Sequence, residues 1–361
     1  MQATEEMQWF KEAITMDYEE PLGKALSALQ KSKTCIVITR DNKYYGILDD
    51  RHIRQLASYP SVEKAGSEAI RAPTIALNMP AVDICKLFFT DHYKALPVVQ
   101  KEKVVGIITR ADLLKILLDG GEIGKRRVEE IMSSPPLYIE ENATMIQARA
   151  LMRSENVKRL VVTKNGSFIG IVSTYDIGKL NKPKEKAPFL SEKVAYAKHP
   201  ISSFMRSDVL TVEPDESVIN AAKLMADNEI SALIVAENNR PVGVLTATDV
   251  FETVLTGEKE NIWLVGLPEE DKEYAQDIIA LCKNTLSKIA QSFKIESLTL
   301  HVKKHGRKYS VRARVNHGTV TSLSNYGWEL KQTVRKVLAE IKKVLEKGKP
   351  NRMHTRTGLE E

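Results

Sequence analysis

One short pattern recurs four times in the first 255 residues, and this repetition limits the possible folds more than any other feature of the chain. Each copy begins with a β-branched run: Cys35-Ile-Val-Ile-Thr39, Leu96-Pro-Val-Val99, Leu160-Val-Val-Thr163 and Leu233-Ile-Val-Ala236. Such runs suit short, buried strands. A polar turn follows each (DNK, KEK, KNG, ENNR). A second strand then opens on glycine: Gly46-Ile-Leu, Gly106-Ile-Ile, Gly170-Ile-Val and Gly243-Val-Leu. The four glycines are 60, 64 and 73 residues apart.

An amphipathic helix is expected before each first strand. In the fourth copy Val218, Ala221, Ala222, Leu224 and Met225 fall on one face, and Asn220, Lys223 and Asp227 on the other. A lead-in segment precedes the helix in copies two to four: Ile70 with Thr74-Ile, Ile131-Met132 with Leu137-Tyr-Ile, and Phe204-Met205 with Leu210-Thr-Val. The unit is thus strand–helix–strand–strand–helix. One such unit cannot bury both faces of its small sheet, so units must pack together. The polar, proline-containing stretch from Lys182 to Pro188 marks a break, and the units read as two pairs.

This recurrence resembles CBS domains, with each successive pair resembling a Bateman module. The chain divides into repeats at 1–60 (with an N-terminal helix), 61–120, 121–182 and 199–257, with a linker at 183–198. The implied fold class is α/β (α+β). The resemblance also implies an adenine nucleotide (AMP, ADP or ATP) as regulatory ligand. It directs attention to the Ser/Thr-x-x-Asp that follows the glycine strand: Thr109 and Asp112, Ser173 and Asp176, Thr246 and Asp249.

A hydroxyl and the free N–H groups at a helix start can hold a phosphate, and an aspartate one turn in can accept both hydrogens of a ribose diol. The glycine lets another group approach the backbone closely. The same spacing also makes a capping box, which stabilises a helix without any ligand. The first repeat departs from the pattern, with Asp49 at the hydroxyl position and His52 at the carboxylate position. A carboxylate there would repel phosphate, so this site reads as empty or altered. By resemblance, Lys94 and Arg159, just before core strands, could reach phosphates.

Nothing among the repeats suggests catalysis or a metal. The seven histidines, His92 and His199 among them, are scattered, and no nucleophile elbow or Walker loop occurs. Cys35, Cys85 and Cys282 stand far apart without a CxxC pair, which suits a reducing compartment. The acidic, amphipathic start is unlike a signal peptide, and no apolar run approaches the ~20 residues of a membrane span. A non-enzymatic cytoplasmic protein without a membrane partner is expected.

Charge separates the remainder of the chain. Residues 258–361 carry 20 Lys and Arg against 13 Asp and Glu, whereas residues 1–257 carry 33 against 34. A polyanion partner is expected for the last third, although a Lys-rich solvated surface gives the same count. Residues 258–348 read as β-α-β-β-β-α, followed by a basic tail at 349–361. A strand at Ile262 to Val265 precedes a long helix opened by Pro268. Three strands follow, then a final helix from about Glu329 to Lys347, ended by Gly348 and Pro350.

On the final helix Lys331, Arg335 and Lys342 form one basic stripe, and Lys336, Lys343 and Lys347 another. Arg312 and Arg314 share the polar face of one strand, and Lys349, Arg352 and Arg356 lie in the tail. Such spacing can track phosphates. The element order, an Asn316-His-Gly318 hairpin and the basic closing helix resemble the ribosome hibernation-promoting factor family. That resemblance implies binding of the small ribosomal subunit and its rRNA, with nucleotide occupancy of the repeats adjusting it. The alternative is a nucleotide-gated regulator of a protein partner or enzyme, with the terminal domain as a protein-binding module.

Overall fold

The computed structural model describes residues 10–347, apart from 33, 50–62, 91–92, 175, 177–198, 256–261 and 291–292. Several expectations fall outside the described residues: His52, His92, the break from Lys182 to Pro188, Gly348, Pro350, and the tail residues Lys349, Arg352 and Arg356.

Repeat four shows the whole expected unit; the closing helices expected of repeats one and three fall outside the described residues, and the first strand of repeat two is reduced to a bridge between Ile75 and Val98. The first repeat contains β1 (Thr15–Asp17), α1 (Leu22–Ser32), β2 (Ile36–Arg40) and β3 (Lys43–Leu48). The second contains α2 (Ala81–Thr90), β4 (Ala95–Gln100), β5 (Lys103–Thr109) and α3 (Arg110–Asp119). A short helix, α4 (Val128–Ile131), leads into the third, with β6 (Tyr138–Glu140), α5 (Met145–Ser154), β7 (Arg159–Lys164) and β8 (Ser167–Ser173). The fourth contains β9 (Thr211–Val212), α6 (Val218–Asp227), β10 (Ala232–Glu237), β11 (Arg240–Thr246) and α7 (Ala247–Leu255).

The four hairpins share one geometry. Their turn pairs Asp41/Asn42, Lys101/Glu102, Asn165/Gly166 and Asn238/Asn239 all have positive φ. Two successive positive φ values make the tight turn whose twist matches that of the strands. The register then shifts one step past the glycine pair in every copy, between Ile38/Thr39, Val98/Val99, Val162/Thr163 and Val235/Ala236.

The lead-in segments cross between repeats. Ile70 bridges Ile47, Lys11 bridges Ile107, Arg206 bridges Ile171 and Ser133 bridges Val244. Repeats one and two thus exchange segments, as do repeats three and four, which gives two pairs. The exchange also explains the glycines. A Cβ at Gly46 would lie 2.8 Å from Ile70 O, at Gly106 2.7 Å from Lys11 O, and at Gly170 2.5 Å from Arg206 O. The sequence suggested that glycine admits a close approach, and the group that approaches is the neighbouring repeat.

Helices join the two pairs across the centre. α2 packs on α7 and α3 on α6, so repeat two meets repeat four. Phe88 and Phe251 face each other there with ring centroids 6.4 Å apart. One apolar cluster runs from Cys35 and Val37 through repeats two and four to Val265, while repeats one and three also hold small cores of their own.

The last domain has β12 (Ile262–Val265), α8 (Ala275–Ile289), β13 (Ser297–His305), β14 (Lys308–Asn316), β15 (Val320–Gly327) and α9 (Leu330–Glu346). The sheet order is β12-β13-β14-β15, with the first pair parallel and the others antiparallel. The expected order β-α-β-β-β-α is present. A 3-10 turn over Glu269–Tyr274 delays the first helix beyond the Pro268 start read from sequence. Leu298, Leu300, Val302, Val311, Ala313 and Val315 face α8 and α9 and form the domain's core.

Candidate functional site

The three Ser/Thr-x-x-Asp turns are built alike. In repeat two Asp112 Oδ2 accepts from Thr109 N at 2.9 Å and from Thr109 Oγ1 at 2.6 Å, and Thr109 Oγ1 accepts from Asp112 N. In repeat three Asp176 Oδ2 accepts from Ser173 N and Oγ at 3.0 and 2.5 Å. In repeat four Asp249 Oδ2 accepts from Thr246 N and Oγ1 at 2.6 and 2.8 Å. Each pair is therefore a capping box, the ligand-independent arrangement that the spacing allows. One carboxylate oxygen is spent on the cap and the other, Oδ1, points elsewhere.

That second oxygen meets a cation in all three turns. Lys11 Nζ lies 3.4 Å from Asp112 Oδ1, and Arg206 Nε lies 3.1 Å from Asp176 Oδ1. Both cations belong to the lead-in segment of the neighbouring repeat. Their side chains are largely open to solvent, at 41 and 58% exposure, so either could turn from the aspartate to an incoming phosphate. Lys11 is also held by Glu229 at 2.5 Å. The residue in the equivalent lead-in position facing repeat four is Ser133, which carries no charge. There the cation is Arg314, from β14 of the last domain.

Arg314 is only 5% exposed, and its guanidinium donates to Asp249 Oδ1 and, at 2.5 Å, to the carbonyl of Ile131. Glu252 Oε2 lies 3.1 Å from the same guanidinium. The other Glu252 oxygen accepts from Ser297 Oγ at 2.8 Å and Thr299 Oγ1 at 2.9 Å. Burial opposes the charge on Arg314, but the two carboxylates more than offset it and hold its pKa above the usual arginine value.

The polar face of the sheet therefore docks on the repeats. Asn156 Nδ2 donates to His301 O and Ser324 Oγ to Glu155 O, each at 2.9 Å, and Arg126 pairs with Glu296 at 2.8 Å. At the sheet's edge Trp263 packs edge-on against Phe89 of α2 at 5.2 Å. His301 lies within this interface. Desolvation, with Arg314, Arg312 and Lys158 nearby, depresses its pKa to about 3.

The sequence-derived basic residues thus separate into two groups. Arg314 is buried in an ion cluster and Arg312 is half-buried beside it, so neither lies on the open phosphate-tracking face that alternation suggested. The residues of α9 remain on the outside of the domain. Arg335, Lys336, Lys343 and Lys347 are exposed. Lys331 is half-buried against Tyr274 and paired with Asp277 at 2.6 Å, and Lys342 is 3.4 Å from Glu346. Arg335, Lys342 and Lys288 line a shallow groove between α8 and α9.

Of the other candidates, Arg159 is the ladder partner of Ser173 and donates to Ser231 Oγ at 3.1 Å, while Lys94 is half-buried just before β4. Asp49 is buried, and its charge together with burial pushes the Cys35 thiol up to about 12, burial being the larger cause. Sequence reasoning missed Lys11, Arg206 and the docked role of Arg314. Aligning the four lead-in segments would have exposed the first two.

The CBS-domain family model matches residues 10–59, 68–119, 128–180 and 201–256, which is more than half of the chain and includes all three turns. The chain belongs to the CBS-domain family. An uncharacterized protein of Methanocaldococcus jannaschii, MJ1404, is 29% identical over 316 residues, covering 83% of this chain and 74% of the relative. A homoserine O-acetyltransferase of Methanococcoides burtonii is 34% identical over 125 residues, covering 34% of this chain but only 23% of that enzyme. Among solved structures, MJ1225 of M. jannaschii, described as a candidate archaeal homolog of g-AMPK, aligns with TM-score 0.56 at 19% identity. It covers 69% of this chain and 99% of that one, and the likeness speaks to the fold.

As a CBS-domain protein the chain carries a nucleotide-binding regulatory module. Among the described residues no helix is long and apolar enough to cross a membrane, and no group of three His, Cys, Asp or Glu is gathered as for a metal.

Proposed function

We propose that this CBS protein is an adenine-nucleotide-responsive regulator whose last domain binds the RNA of the small ribosomal subunit. The observation that carries the nucleotide half is the common turn geometry. A capped aspartate presents Oδ1 beside a cation that could turn to a phosphate, at Asp112 with Lys11 and at Asp176 with Arg206. The aspartate suits a ribose diol, and the cation suits the phosphate attached to it.

The RNA half is supported by the exposed basic residues of α9 together with the β-α-β-β-β-α topology. Arg335, Lys336, Lys343 and Lys347 project from the helical side of the domain, away from the docked sheet face. Evenly spaced cations suit a phosphate backbone. The chemistry is recognition rather than turnover, and the role is a brake on translation set by nucleotide state. Co-sedimentation of the full chain with small subunits in a sucrose gradient, with and without AMP, tests this directly. Absence from the subunit fractions at low salt would remove the ribosome from the account.

One observation favours a second reading, a nucleotide-gated regulator of a protein partner. The sheet face of the last domain already binds protein, because it docks on repeats three and four through Arg314, Ser297, Thr299 and Ser324. A protein captured in place of ribosomal subunits, and lost on Arg314→Met, would select that reading.

A further inference from the structure

We infer that the repeat-four turn is a socket in which the ribose of an adenine nucleotide and Arg314 compete for Asp249, so that nucleotide binding there undocks the last domain. This rests on the nucleotide reading above and adds its regulation. Turns two and three take their cation from the lead-in segment of the neighbouring repeat. The fourth has Ser133 at that position, and the last domain supplies the missing charge instead.

The socket differs from the other two turns in how its cation is held. The Lys11 and Arg206 side chains keep 41 and 58% exposure, whereas that of Arg314 keeps 7% and is clamped between Asp249 and Glu252. Asp249 Oδ1 is occupied by the buried Arg314 guanidinium, so no ligand reaches it while β14 is in place. Oδ2 is already held by Thr246. A ribose diol must therefore displace the guanidinium, and the domain that carries it must move with it.

The docked state is also incompletely satisfied. Arg314 Nε is buried without a hydrogen-bond partner, which costs free energy that undocking returns. Undocking has a functional consequence. It frees Arg312 and Arg314 and adds two cations to the basic surface of the domain. Nucleotide at repeat four would then promote polyanion binding.

The test uses the full chain with AMP as the probe, by calorimetry and small-angle X-ray scattering. AMP at saturation is expected to enlarge the radius of gyration of the wild type. Arg314→Met is expected to be expanded without nucleotide and to bind AMP at repeat four at least tenfold more tightly than the wild type. Asp249→Asn is expected to be expanded with no such gain. Should Arg314→Met fail to fold, Arg314→Lys keeps the charge, loses the fork, and is expected to show a smaller expansion with the same direction of change in affinity. AMP heat with no change in scattering, and an Arg314→Met isotherm that overlays the wild type, would overturn the competition alone. No AMP heat in any variant would overturn both the nucleotide reading and the competition.

Discussion

Arg314 and Asp249 stand 65 residues apart in the chain and form a buried ion pair that joins the last domain to the fourth repeat. Removing one member strands the other charge in the interior, which costs roughly 3–5 kcal/mol, whereas replacing both by apolar groups costs far less. Arg314→Met should therefore destabilise the chain by about 3 kcal/mol in denaturant unfolding. The triple change Arg314→Met, Asp249→Leu and Glu252→Gln, which leaves no charge of the cluster behind, should recover most of that loss. Simple additivity of the three single changes would show that the cluster does not couple the domains.

The repeat glycines give a graded prediction. Gly170→Ala drives a methyl against the carbonyl of Arg206, a rigid backbone atom, and should cost ~1–3 kcal/mol as an overpacked site. At Gly243 the obstacle is the Met132 side chain, with its sulfur at 2.3 Å, and this chain can turn aside. Gly243→Ala should therefore cost less. Gly124, which has nothing within 4 Å of its ideal Cβ, is the control and should change little. Equal losses at Gly170 and Gly124 in thermal unfolding would remove the segment exchange as the reason for the glycines.

Much of this architecture was legible in sequence because β-branched runs and glycine spacing report local strand structure. The four hairpins and the apolar face of α9 follow directly from such patterns. The three aspartates were legible as well, because a capping box is local. What periodicity could not show was the identity of the partner across space. Arg314 alternates like any solvent-facing strand residue, and only the approach of Asp249 and Glu252 reveals that its face is covered. Lys11 and Arg206 escaped for the same reason, since they act on the neighbouring repeat.

The half-buried imidazole of His301 in the domain interface sets a pH dependence. His301 titrates at about 3 in the folded chain, well below its ordinary value of 6.5, because desolvation and the cations Arg314, Arg312 and Lys158 oppose its charge. Between those values the unfolded chain binds a proton that the folded chain refuses, so stability is full above pH 6.5 and falls as the pH drops toward 3. His305, depressed to about 4 by desolvation and by Lys303 and Arg153, adds to the loss over much of the same window. The melting temperature should drop from pH 7 to pH 5, and His301→Gln should drop less. An identical slope in the variant would exclude His301 as the cause.

The basic surface predicts a salt dependence. If about six phosphates are contacted, log affinity for small subunits should fall with log salt at a slope near −4 to −5, from the per-phosphate values for single- and double-stranded nucleic acid. Reversing Lys336, Lys343 and Lys347 to Glu should abolish binding with the fold intact, because the latter two lie exposed off the apolar face with Lys336. Reversing Lys331 and Lys342 should weaken it less, since each already answers a carboxylate. Binding indifferent to salt would point to a protein partner instead.

Calorimetric titration of the full chain with AMP tests most directly whether the capped aspartates hold an adenine nucleotide. Binding heat is expected in the wild type, and Asp112→Ala and Asp176→Ala should each weaken their own site by ~1–3 kcal/mol, as for a lost hydrogen bond to a charged group. The double variant should lose the tight phase altogether. No heat in the wild type, or an isotherm unchanged by the double substitution, would leave these turns as helix caps and nothing more.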